Sequence, residues 1–308
     1  MKKLFIIAFF TLTGLSMTAF VFFSVRQLLA NREMNSEWQA MQTVGPELAV
    51  TSRLEIIPLY EAARVSGDFS SGHGVSYLIR TDSATVLLDV GNNPDQLAVA
   101  PFMQNMQTLG IDWAEVYRIV ISHPHPDHVG GTRAWWNQTV ALGDLELPEG
   151  LGDRLIFVPT PMTFKDAVHA TIPSLPAPDV ATTGVVSYPE VFPLSLLEPK
   201  GGEQALVVKV AGQGLVLITG CGHPGLEKLV ERAETLYGQT ITGVVGGLHY
   251  VKETAQDVEP HIQFLQTRQP GLVALSPHDS NPQVLAAFQS AFGDRYHTLR
   301  VGEAIHFP

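Results

Sequence analysis

Short apolar runs, each closed by a glycine-rich or histidine-bearing turn, dominate the pattern along this chain. Val116-Tyr117-Arg118-Ile119-Val120-Ile121, Gly214-Leu215-Val216-Leu217-Ile218-Thr219, Val244-Val245 and Leu272-Val273-Ala274-Leu275 are too short for helices and read as buried strands. Further strand-like stretches fall at 53–59, 74–80 and 84–89. Helices are predicted over 95–109, through Thr132-Arg133-Ala134-Trp135-Trp136, over Pro224–Tyr237, and at 258–268 and 281–291. Strands precede helices repeatedly, which predicts α/β layers. Residues 144–200 hold nine of the 21 prolines and are expected to form a surface excursion.

The N-terminus has a different pattern. Lys2-Lys3 is followed by Leu4 to Val25, 22 residues without a charge, and a bilayer span needs about 20. The run exceeds the apolar core of a secretory signal and lacks an Ala-x-Ala site, so an uncleaved membrane anchor is expected, with a cleaved signal as the alternative. Lys2 and Lys3 would hold the N-terminus in the cytoplasm and place the rest on the exported, periplasmic side of the inner membrane as a single-pass protein. The chain then divides into an anchor at 1–32, a polar tether at 33–52 and a catalytic domain at 53–308.

The chemistry concentrates where the strands end. His123-Pro124-His125-Pro126-Asp127-His128 packs four candidate metal ligands into six residues. Alternation along an extended segment would face His123 and His125 the same way, the prolines stiffen the loop, and Asp127 and His128 can turn toward a second ion. Two ions need more ligands than these four. His223, in Gly220-Cys221-Gly222-His223-Pro224-Gly225, and His278, in Ser276-Pro277-His278-Asp279-Ser280, are the best donors. His249, after Gly246-Gly247-Leu248, lies near the metals or serves as a capping group. Cys221 is a possible soft ligand, but reads better as a small residue filling its turn. It is the one cysteine, so no intramolecular disulfide can form.

His-x-His-x-Asp-His is the defining motif of the metallo-β-lactamase superfamily, which the chain resembles over nearly all of its length after about residue 53. The resemblance implies a four-layer αβ/βα sandwich. It also implies a first ion on His123, His125 and His223, a second on Asp127, His128 and His278, and Asp89 as a residue orienting the metal loop. A narrower resemblance, to the branch named for dihydropterin-ribofuranosyl-aminobenzene phosphate synthase, rests on four stretches: His73-Gly74-Val75-Ser76-Tyr77-Leu78-Ile79, Glu203-Gln204-Ala205-Leu206-Val207-Val208, Thr219 to Gly225, and Gly246-Gly247-Leu248-His249. The chain departs from the branch after His278, reading Asp279-Ser280-Asn281 where the branch has Cys-Thr-Gly. Gly247 stands where many superfamily hydrolases carry a bridging Asp.

No Gly-x-Ser-x-Gly elbow or His-Glu-x-x-His helix is present, so the expected nucleophile is metal-bound hydroxide acting on a small-molecule ester, lactone, amide or phosphoester. Asp127 would orient or accept the proton of the attacking water, and His249 or His73 would assist the leaving group. Two divalent ions are expected, zinc by default, with iron or manganese also suited to this donor set. Residues 1–32 carry four of the 19 basic side chains and no acidic one, leaving 30 acidic against 15 basic in the rest. Such a surface repels nucleic acid. The alternative reading is a non-catalytic, metal-bound sensor or scaffold of the same fold. Phe164, Lys165, His169 and Thr182-Thr183-Gly184 are candidates to line a substrate cleft.

Overall fold

In the computed structural model, residues 2–143, 156–164, 167–191 and 193–307 are described, with side chains from Met17 onward. The chain forms two compact units, one of Met1–Met41 with Ser187–Gly201 and the other of Gln42–Val186 with Gly202–Pro308.

The second unit holds two seven-stranded sheets. One runs in the order Ile305–His306, Glu55–Tyr60, Ser76–Arg80, Thr85–Leu88, Arg118–Val120, Ile156–Val158, Ala167–His169. The other orders Val50–Thr51, Leu206–Val210, Gly214–Ile218, Ile241–Gly246, Leu272–Leu275 and Tyr296–Thr298, with Val180–Thr182 also paired to Leu206–Val210.

The period of two along each strand sorts the apolar side chains into two cores. Ile56, Tyr77, Ile79, Val86, Leu88 and Val120 of the first sheet meet Leu206, Val208, Val216, Ile218, Val245 and Ala274 of the second. Their neighbours Ile57, Leu59, Leu78, Leu87, Ile119 and Ile121 face the other way, onto Phe102, Met103 and Met106 of helix Pro101–Thr108 and Ala134 of helix Thr132–Trp136. On the far face of the second sheet, helix Leu226–Tyr237 packs against the strands Gly214–Ile218 and Ile241–Gly246, and helix Pro282–Phe292 packs against Tyr296–Thr298. A strand covered on both faces reads as a continuous apolar run, which is why the pattern was so plain in sequence.

Parallel pairing positions the chemistry. Thr85–Leu88 and Arg118–Val120 are parallel neighbours in the first sheet, and Gly214–Ile218, Ile241–Gly246 and Leu272–Leu275 are parallel neighbours in the second. The segments after their C-terminal ends therefore emerge together within each sheet, the usual location of ligand sites in parallel α/β sheets.

The helix predicted over 95–109 starts later, at Pro101, whose fixed φ suits the first helical position. Thr182 and Thr183, expected at the cleft, are buried, and their hydroxyls cap the backbone of Ser174, Gly184 and Ala205. Phe164 packs on the outer core of the first sheet, His169 is exposed on the edge strand Ala167–His169, and Lys165 lies outside the described residues.

In the first unit, helix Lys2–Ala40 carries the N-terminal apolar run. Among the described residues, no helix is long and apolar enough to cross a membrane. The described apolar stretch, Met17–Val25, is nine residues long, about half a span. The same helix continues through Arg26, Gln27, Asn31, Arg32 and Glu33, whose polar side chains a bilayer core would strip of water. Arg26 donates to the Leu196 carbonyl at 2.7 Å, Lys200 pairs with Glu33 at 2.7 Å, and Ser187 donates to Glu37 at 2.6 Å. These findings overturn the expected transmembrane or signal helix at Leu4–Val25, and with it the single-pass, exported placement. The side chains of Leu4–Ser16 lie outside the described residues. Residues 33–40, expected to begin a tether with some helical tendency, complete the helix, while Val50–Thr51 joins the second sheet beside Lys209–Val210.

Phe102 is fully buried between the first sheet and its helices. Phe102→Ala is expected to lower unfolding free energy by about 3–5 kcal/mol, measured by urea denaturation at constant metal loading.

Candidate metal centre

Asp89 follows strand Thr85–Leu88 in a left-handed conformation, with φ 58°, and its carboxylate is fully buried. It accepts from the Ser122 backbone N–H at 2.7 Å, the Ser122 hydroxyl at 2.6 Å and His128 Nδ1 at 2.7 Å. Because the Ser122 proton goes to Asp89, Ser122 Oγ accepts from His123 Nδ1, 2.9 Å away. That fixes the tautomer of His123 and leaves its Nε2 lone pair for a ligand.

A matching relay stands behind His278. Ser276 donates to Glu61 Oε2 at 2.6 Å, Tyr77 donates to the same oxygen at 2.7 Å, and His278 Nδ1 donates to Ser276 Oγ. Burial pushes Glu61 up to about 7 despite the hydrogen bonds from Ser276 and Tyr77. Two His–Ser–carboxylate chains thus orient one imidazole from each sheet.

The third support is Glu203, fully buried at the end of strand Lys200–Glu203. Its two oxygens accept from the backbone N–H groups of Cys221, Gly222 and His223 at 3.1, 2.8 and 2.8 Å. Gln204 beside it donates its backbone N–H to Ser122 O at 2.9 Å and its amide to Ile121 O at 2.8 Å. One dipeptide therefore clamps both ligand loops. Gly220 is required for the same closeness, since a Cβ there would sit 2.1 Å from Ser122 Oγ and 3.0 Å from Asp89 Oδ2.

The ligand-type atoms converge in overlapping groups, two of which hold the six residues singled out in the sequence. His123, His125 and His223 form one and Asp127, His128 and His278 the other, the ligand atoms within each lying within 4.8 Å of one another. His123 Nε2 is 3.1 Å from His125 Nδ1 and 3.2 Å from His223 Nε2. The strand before the motif ends at Val120, so loop geometry and the Ser122 contact, rather than strand alternation, bring His123 and His125 together. Burial, followed by the neighbouring imidazoles, holds His123, His223 and His278 well below the usual histidine range. His128 differs: burial opposes its charge, but Asp89 and Asp127 raise it to about 9. Asp127 stays below the usual carboxylate range despite burial, because His128, His278 and His73 surround it.

His249, also at positive φ, places its ring 4.1 Å from that of His223 and groups with Cys221 and His223. His73 lies at the surface: its side chain is 67% exposed, with Nε2 3.2 Å from Asp127 Oδ2. Cys221 does more than fill its turn. Its sulfur lies 3.1 Å from His128 Nε2 and 3.3 Å from His278 Nε2, against the second group. Burial and the nearby carboxylates raise its thiol pKa, so a bound cation is what would favour the thiolate.

Imidazoles, carboxylate and one thiol, with ligand-type atoms turned to common centres and the outer nitrogens of His123, His128 and His278 already satisfied, fit a borderline divalent ion such as zinc. Glu61, Ser122, Glu203 and Ser276 were missed in the sequence. Glu203 and Ser276 each stand at the border of a recognised turn or strand, which was the available signal.

The metallo-β-lactamase superfamily model matches residues 71–194. A 7,8-dihydropterin-6-methyl-4-(beta-D-ribofuranosyl)-aminobenzene-5'-phosphate synthase of Methanocaldococcus jannaschii is 21% identical over 286 residues, which is 80% of this chain and 93% of the relative. An uncharacterised protein of the same organism is 27% identical over 202 residues, 59% of this chain and 75% of its own. Among solved structures, a metal-dependent hydrolase of the β-lactamase superfamily superposes with TM-score 0.57 at 21% identity, covering 82% of this chain and 98% of that one. That likeness shows the fold.

Glu203→Ala would leave three backbone N–H groups without their acceptor beside His223. Zinc affinity, read by competition with a chromophoric chelator, is expected to fall about 10–100-fold, the range for a group that orients ligands.

Proposed function

We propose that this chain is a dinuclear metal-dependent hydrolase of the metallo-β-lactamase superfamily, acting on a small molecule. The observation that carries this reading is the pair of adjacent ligand groups, His123/His125/His223 and Asp127/His128/His278, each backed by a buried carboxylate. Bound divalent ions would supply Lewis acidity, activate water at neutral pH and clamp attacking and leaving oxygens.

The chain's own residues do the rest. Asp127, 14% exposed and held ionised by its histidine neighbours, lies beside the exposed His73 and can orient a water or accept its proton. His73, exposed beside it, and His249, beside His223, stand where a leaving group could take a proton. Esters, lactones, amides and phosphoesters are the substrate classes this arrangement suits.

Five carboxylates, Glu61, Asp89, Asp127, Glu203 and Asp279, stand among the ligands and their supports. With a formal net charge of −11, they favour a neutral or cationic small molecule over a nucleic acid. The synthase named among the relatives handles a phosphorylated compound. Phosphoesters therefore belong in any substrate panel.

The test is elemental analysis of the purified protein together with turnover of a chromogenic ester, lactone, amide and phosphodiester panel. Up to two equivalents of metal are expected, with turnover lost on chelation and restored by zinc, iron or manganese. His125→Ala combined with His278→Ala is expected to remove bound metal and turnover together; hydrolysis persisting in that variant would sink the mechanism.

A further inference from the structure

Gly247 directly follows strand Ile241–Gly246. A Cβ built there would lie 2.3 Å from Asp279 Oδ2 and 2.5 Å from Gly220 O. The space into which a residue-247 side chain would extend is thus already occupied by a carboxylate arriving from the neighbouring loop, one residue after His278.

Asp279 is 4% exposed. Its oxygens accept from His249 N at 3.0 Å and from Ser280 Oγ at 3.3 Å, and no Lys or Arg pairs with it among the described residues. Two neutral donors are thin compensation for a buried carboxylate, which ordinarily needs a cationic partner or a metal. One of its oxygens lies within 4.8 Å of both Cys221 Sγ and a His278 ring nitrogen, so the carboxylate belongs to a ligand-type cluster that shares His278 with the second group.

We infer that Asp279 is a metal ligand, a second carboxylate for the ion held by Asp127, His128 and His278, reaching it through the gap that Gly247 leaves open. Its chemistry is that of a hard oxygen donor for a divalent cation, with the Cys221 sulfur beside it. His249 is positioned by the same side chain, through its backbone N–H. The inference rests on the two-ion reading proposed above.

The experiment is zinc titration of wild type and Asp279→Asn by chelator competition. Asparagine keeps an oxygen for the His249 N–H while removing the charge. Wild type is expected to bind two equivalents. The variant is expected to keep one equivalent at wild-type affinity and to bind the other more than about 100-fold more weakly, beyond the 10–100-fold typical of a group outside the coordination sphere. A loss within that range, or none, overturns the assignment alone. Wild type binding fewer than two equivalents overturns the two-ion reading and this assignment with it. The zinc-loaded wild-type crystal structure provides a second readout independent of the variant's folding. An Asp279 oxygen about 2.0–2.2 Å from an ion is expected, and one beyond 3 Å overturns it.

Discussion

The carboxylate of Asp89 is the constraint from which the site is built. It is buried without a Lys or Arg partner among the described residues, and is satisfied instead by the Ser122 backbone, the Ser122 hydroxyl and His128. Those three contacts fix where the chain must turn after strand Arg118–Val120, which tautomer His123 adopts and how His128 is aimed. A buried charge with defined donors has few geometries, and that stiffness is what a set of metal ligands requires before any ion arrives. Glu61 repeats the solution on the other sheet through Ser276 and His278, with Tyr77 as a further donor.

Much of the fold and the first rank of candidate ligands was legible because both are written in local pattern. Buried parallel strands are apolar on both faces, and the candidate ligands follow strands within a few residues, so His123 to His128, His223, His278 and Asp89 could be picked out from short windows. The supports could not be read that way. Glu61 meets Ser276 across 215 positions, and Glu203 serves a turn 18 to 20 residues away whose need for an acceptor is invisible until the turn exists. Cys221 was read by its size, whereas the orientation of its sulfur between His128 and His278 is a product of tertiary packing.

The N-terminal helix shows the opposite error. Composition over Leu4–Val25 suggested a bilayer span, but the element in which the run sits continues through charged and amide side chains to Ala40 and bonds to the backbone and side chains of 187–201. Hydropathy in a window measures a segment, while the environment of a helix is set by everything that helix touches. Within the stretch 33–52, expected to form a tether, Leu48 and Thr51 are buried.

The ligand groups also straddle a seam. His123 and His128 extend from the sheet containing strand Arg118–Val120, whereas His223, Cys221 and His278 extend from the other, and the two sheets adhere through an apolar layer together with directed bonds such as those from Gln204 to Ser122 and from Ser276 to Glu61. An ion shared by His123 and His223 would join points 100 residues apart. It would act as a reversible cross-link, whose closure entropy is taken from the unfolded chain. Metal availability would then set cohesion between the two halves as well as reactivity, because free energy of coordination becomes free energy of folding wherever the unfolded chain cannot assemble the same donors.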